Sequence, residues 1–170
     1  IRTILKGSPI IESHSDCEQV QDAYSFRCAP QVHGAIYERL AALQRTLDIE
    51  LNSATDNPLI FPDLSNPGPH EVISQGNFHG EVLALTADAM TSAMFEVGSI
   101  SERRIDQMLD PARSGLPAFL AADSGLESGL MIVQYVAGAS LGELHGHAAP
   151  RSIFSTSTSA GQEDHVSMGA

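Results

Sequence analysis

The run from Asn77 to Leu109 limits most sharply what this chain can become. Its apolar residues Phe78, Val82, Leu85, Ala89, Ala93, Val97 and Ile100 recur at spacings of three and four, and no proline interrupts the pattern before Pro111. Roughly thirty helical residues make a rod of about 50 Å. Such a rod belongs in a bundle of long helices rather than in a small globule. Asn77 is placed to cap its start, and Ala84, Ala87, Ala89, Ala93 and Gly98 would let neighbouring helices approach closely. Near its end, Glu102, Arg103, Arg104 and Asp106 read as a solvated ion-pair face rather than a phosphate site.

Two further long helices are expected. Pro30 suits a first helical turn, and Val32, Ile36, Leu40, Leu43, Leu47 and Leu51 then mark one face of a helix over Pro30–Asn52. The pattern stops at Thr55-Asp56-Asn57-Pro58, because a residue before proline is pushed out of the helical region. Gly129–Leu144 is apolar almost all round, so that helix should be buried on every side and needs partner chains or further sequence to cover it. Between these elements, Ile1–Ser15 reads as an extended or looping entry broken at Gly7-Ser8-Pro9. Leu59–Glu71, with Pro62, Pro67, Gly68 and Pro69, reads as a surface loop. Arg151–Gly161 reads as another loop, and Gln162–Met168 as the start of a helix with Glu163 in its first turn. The expected fold is an all-α long-helix bundle. Residues 1–170 form one helical-bundle fragment of a longer chain.

Charge narrows the partners. Twenty-one acidic residues stand against nine basic ones, a net charge of −12, which disfavours nucleic acid and anionic membranes. The most apolar run, Leu130–Ala139, is too short to span a bilayer. Cys17 and Cys28 are read as reduced thiols, which with the composition points to the cytoplasm.

The chemistry concentrates in Gln21-Asp22-Ala23-Tyr24-Ser25-Phe26-Arg27-Cys28. An arginine offers a fixed fork of donors for a carboxylate, and a phenol three residues earlier can hold or pass a proton. Together they suit an amino-acid substrate. The structural alternative is a buried tyrosine hydroxyl and an arginine paired to Asp22 or Glu18. His145 and His147, with Glu163 and His165 downstream, lack the spacing of a metal site, and none is expected. His14, beside Asp16 and Glu18, reads as a surface histidine.

The string QDAYSFRCAPQVHGA resembles a motif of the aromatic amino acid ammonia-lyases. NSATDNPLIF, QGNFHGE and SAGQEDHVSM follow in the family's order, so the resemblance covers essentially the whole chain. QEDHVSM is most similar to the histidine branch of that family. The resemblance implies the helical bundle at the centre of the aspartase/fumarase-like fold, a carbon–nitrogen lyase and a homotetramer. It implies removal of ammonia from L-histidine to give urocanate, with tyrosine or phenylalanine as alternative substrates.

The resemblance also implies residue roles. Arg27 would grip the substrate carboxylate, Tyr24 would stand beside the prosthetic ring, and Gln21 would hydrogen-bond in the same pocket. Phe78 would pack on substrate and ring, while Glu163, with Gln162 beside it, would face the substrate side chain. The phenylalanine enzymes carry an amide where Glu163 stands. The family's prosthetic group is 4-methylidene-imidazol-5-one (MIO), formed from an internal Ala-Ser-Gly that these 170 residues do not contain. The N-terminal half of the enzyme would supply it, so the isolated chain should be inactive. A helical scaffold or oligomerisation module without the chemistry is the competing reading.

Overall fold

A computed structural model describes residues 1–65 and 71–168. The described elements are α1 (Arg2–Leu5), α2 (Pro9–Ser13), α3 (Tyr24–Arg27), α4 (Ala29–Glu50), β1 (Leu59–Phe61), β2 (Glu71–Ile73), α5 (Glu81–Leu109), α6 (Pro111–Ser114) and α7 (Met131–His147), with 3₁₀ turns at Ala118–Leu120 and Ser159–Gly161. Three long helices dominate, as the periodicity requires. Their bounds differ by a few residues from the predicted ones.

Several local expectations give way. The entry is not extended: α1 and α2 are short helices separated at Gly7, whose φ of 71° only glycine adopts freely. The expected loop after Pro58 contains an antiparallel ladder pairing Leu59 with Ile73, Ile60 with Val72 and Phe61 with Glu71. Pro67, Gly68 and Pro69 of that loop lie outside the described residues. Asn77 does not cap α5, because its side-chain amide donates to the Ala54 carbonyl at 2.9 Å while Gly80 supplies the first carbonyl of the helix to Leu83 and Ala84. Gln162–Met168 forms no helix. Thr158 and Glu163 exchange backbone hydrogen bonds across the 3₁₀ turn instead, which takes up the donors that a helix start would need.

The chain forms two compact units. One comprises Ile1–Tyr37 and Phe95–His145. Here Ile36, Ile100, Leu109 and Ala121 are buried, and Gly98 lets α7 come close: a Cβ there would meet Leu144 Cδ1 at 3.1 Å and Leu141 Cδ1 at 3.7 Å. The small-residue stripe of α5 is used at that point. Arg113 lies between Asp106 (2.8 Å) and Asp110 (2.7 Å), and Gln134 of α7 donates to Asp106 at 2.7 Å. These ties fix the end of α5 against α6 and α7.

The charged cluster at the end of α5 is not the solvated face its composition predicts. Glu102 is buried and paired with Arg103, and the half-buried Arg104 turns inward to the Ser25 carbonyl at 2.7 Å. A burial cost for charge that a sequence pattern does not record is met here by a specific acceptor.

No residue of α7 is buried. Ile132, Tyr135 and Val136 are exposed, so the described residues leave one face uncovered on the helix that composition predicts to be buried all round. Cys17 and Cys28 are free thiols. Among the described residues no helix is long and apolar enough to cross a membrane.

The second unit comprises Glu38–Met94 and the chain from Gly146 onward. Ala84, Ala93 and Ser152 are buried there. Asp88 of α5 organises the returning chain by accepting from the amides of Arg151 (2.9 Å) and Ser152 (2.9 Å) and from the Ser152 hydroxyl. Those donors hold its carboxyl below the usual carboxylate range, the Ser152 hydroxyl contributing most.

Candidate active site

In the first unit the site residues sit on α3, a single turn closed by bonds from Phe26 and Arg27 to the Ala23 carbonyl and from Cys28 to the Tyr24 carbonyl. It stays separate from α4 because Pro30 has no N–H to offer the Phe26 carbonyl. Tyr24 and Arg27, three residues apart, share one face of that turn. Tyr24 is 72% exposed and Arg27 is exposed.

The contacts of the structural alternative for this pair are not the ones observed. The Tyr24 hydroxyl is not buried in a core, and Arg27 pairs with neither Asp22 nor Glu18: its Nη1 donates to the side-chain oxygen of Gln21. A neutral amide orients the guanidinium without neutralising it. Tyr24 also borders a cleft of about 420 Å³ with Cys28, Val32, Ile100 and Arg103.

The second unit carries the remaining residues. Phe78 is 56% exposed at the edge of a smaller cleft with Leu47, Leu51, Thr55 and Leu83. Glu163 is exposed, and its Oε2 accepts from the hydroxyls of Thr158 at 2.6 Å and Ser159 at 2.8 Å. Those hydroxyls hold the Glu163 carboxyl below its usual range, Thr158 contributing most. The downward shift comes from local hydrogen bonding and not from a helix N-terminus. Gln162 is exposed beside it.

A histidine pair that sequence reasoning did not assign links these two segments. His79 follows Phe78, and His165 lies two residues after Glu163. The rings stack with centroids 5.4 Å apart, and His79 Nε2–H donates to the His165 carbonyl at 3.2 Å. Behind them the chains are so close that a Cβ on Gly80 would meet Ser167 Oγ at 3.0 Å.

His79, Glu81 and His165 also bring three ligand-type atoms within 4.8 Å of one another, with Glu81 Oε2 buried and without a hydrogen-bond partner. Both ring nitrogens of His79 are engaged, since its Nδ1 accepts from the Glu81 amide at 3.3 Å while Nε2 faces His165. The histidines act as a hydrogen-bonded clasp.

The six expected site residues divide between the units, with Gln21, Tyr24 and Arg27 in the first and Phe78, Gln162 and Glu163 in the second. The family described as aromatic amino acid lyase matches residues 1–170. The chain belongs to the aromatic amino acid lyase family. It is 54% identical to histidine ammonia-lyase of Deinococcus radiodurans over 171 residues, spanning all of this chain and 32% of that protein. The crystal structure of histidine ammonia-lyase from Trypanosoma cruzi superposes with a TM-score of 0.79 at 51% identity, covering 88% of this chain and 28% of that one. Phenylalanine aminomutase of Pantoea agglomerans superposes with a TM-score of 0.80 at 36% identity, covering 95% and 32%. The chain thus spans about a third of the length of the relatives it matches. The long-helix lyase bundle expected from the sequence is the fold observed.

Proposed function

We propose that this chain is the segment of a histidine ammonia-lyase that supplies the carboxylate-binding and side-chain-binding residues, the complete enzyme converting L-histidine to urocanate and ammonia. The observation that carries this reading is Glu163, an exposed carboxylate whose Oε2 accepts from the hydroxyls of Thr158 and Ser159. An anionic acceptor suits the N–H of an imidazole and offers nothing to a benzene ring. The high identity to histidine ammonia-lyase of Deinococcus radiodurans supports the same substrate.

Each residue then has a task. Arg27, steered by Gln21, forms a bidentate pair with the substrate carboxylate and so fixes the α-carbon. Glu163 accepts the substrate's imidazole N–H, with Gln162 beside it, and Phe78 packs against the substrate. The Tyr24 hydroxyl holds or relays a proton at the reacting amine. The base that removes the β-proton comes from outside this chain.

The family's methylidene-imidazolone group suits Tyr24, whose phenol is 72% exposed and offers aromatic surface on which a planar ring can pack. When present, that group supplies the electrophile that makes the amino group a better leaving group. Its Ala-Ser-Gly precursor lies in the part of the enzyme beyond these 170 residues, so the isolated chain is inactive. The complete enzyme is a cytoplasmic homotetramer.

The test is turnover by the full-length enzyme of histidine, tyrosine and phenylalanine, followed by ultraviolet absorbance of the conjugated product. Histidine should be preferred. Preference for either other amino acid would move the substrate within the family, and no turnover of any would leave the inert helical scaffold.

A further inference from the structure

Among the groups outside the expected site, Arg104 makes the most specific contacts. From α5 its Nε–H donates to the Ser25 carbonyl at 2.7 Å, its Nη2 donates to His33 Nε2 at 3.2 Å, and its guanidinium lies over the Phe26 ring at 5.9 Å from the centroid. Two of these partners, Ser25 and Phe26, are the residues between Tyr24 and Arg27. The third, His33, stands in the first turns of α4. One side chain therefore ties three helices of the first unit together.

We propose that Arg104 is the positioning residue that holds α3, and with it Tyr24 and Arg27, in its working orientation. The proposal rests on the ammonia-lyase reading above.

A single helical turn is not stable by itself, because nucleation fixes several residues for very few hydrogen bonds. α3 has no buried residue and no side-chain cap, and Pro30 prevents it from continuing into α4. The Ser25 carbonyl receives the Arg104 Nε–H instead of a helical amide. Without that donor α3 has only its three backbone bonds to hold it and loses its tie to the long helix, so the turn opens more often. Lysine cannot replace the arrangement, since it offers a point charge where arginine offers a planar fork that bonds in two directions and stacks with its face. Because Arg104 touches the backbone of α3 and not Arg27 itself, it acts on substrate only through that turn.

The experiment uses the full-length enzyme with Arg104→Gln and Arg104→Lys, each alone and combined with Arg27→Ala. With histidine, Arg104→Gln should lower kcat/KM by roughly 10–100-fold, as expected for a displaced binding group, and Arg104→Lys should recover only part of it. In the Arg27→Ala background Arg104→Gln should cost less than it does alone, because one of the two groups it positions is already gone. Hydrogen–deuterium exchange should accelerate at the amides of Phe26, Arg27 and Cys28 while the amides of α5 keep their protection.

Additive losses in the double variant, or unchanged exchange at α3, would overturn the proposal. If the wild-type enzyme turns over no amino acid, the functional reading fails, and the exchange measurement still decides whether Arg104 holds the turn.

Discussion

His79 donates from Nε2 to the backbone carbonyl of His165 at 3.2 Å, and so clasps the segment that carries Phe78 to the segment that carries Glu163. Neither histidine is needed to touch substrate for this to matter. In the full-length enzyme His79→Leu should lower kcat/KM for histidine by about tenfold at most, the scale of one neutral hydrogen bond. His79→Gln, which keeps a donor, should lose less. Equal losses in both variants would mean that the imidazole does more than clasp.

The roles assigned to Arg27 and Glu163 should separate by substrate. Arg27→Ala should weaken every amino acid the enzyme accepts, by about 2–5 kcal/mol of transition-state binding if a carboxylate is left unpaired. Glu163→Gln should cost histidine far more than tyrosine or phenylalanine. Steady-state kcat/KM for the three amino acids decides it. Equal losses on all three from Glu163→Gln would remove the reason for assigning an imidazole substrate.

Asp88 gives the second unit an acid-sensitive joint. Its folded pKa lies below the ordinary value of 3.8, so its contribution to stability is fully present above that value and is lost as pH falls through the lower, folded one. Comparing melting temperatures of wild type and Asp88→Asn between about pH 5 and about pH 2 isolates this carboxylate from the others. The gap between the two proteins should narrow toward the acid end. A constant gap would show that the hydrogen bonds to Arg151 and Ser152 do not depend on the charge.

Gly129 should tolerate no side chain. Its φ is 50°, and a Cβ would collide with the Phe119 carbonyl oxygen, the same oxygen that accepts from the Leu130 amide at 2.8 Å. Backbone cannot move aside as a side-chain tip can, so Gly129→Ala should destabilise by about 1–3 kcal/mol or more. Thermal or denaturant unfolding checks this. Gly98→Ala makes a useful control, because the atom it meets is the mobile end of Leu144.

The uncovered face of α7 leads to the last expectation. Ile132, Tyr135 and Val136 are 59%, 66% and 60% exposed on consecutive turns of one helix. Apolar surface on that scale favours association, so the 18.1 kDa chain should self-associate in sedimentation experiments at micromolar concentration. A strictly monomeric chain would show that the face is covered only by other parts of the enzyme.

The three long helices were legible in the sequence because period, length and proline placement act locally. A stripe of apolar residues every three or four positions specifies α4 and α5 whatever they pack against. The pair Tyr24 and Arg27 was legible for the same reason, since three residues of one turn put both on one face. What the sequence could not show depended on partners far along the chain. Arg104 and its neighbours look like a solvated charged patch until Ser25, 79 residues earlier, is seen to offer its carbonyl. Asn77 has the composition of a cap, yet the Ala54 carbonyl claims its side chain. Glu163 suggested a helix start, but the hydroxyls of Thr158 and Ser159 and the backbone of the 3₁₀ turn satisfied its segment first. Local periodicity settles where helices run. Which polar group finds which acceptor is settled only when the chain returns on itself, because a hydrogen bond carries no record of its partner in the spacing of either residue.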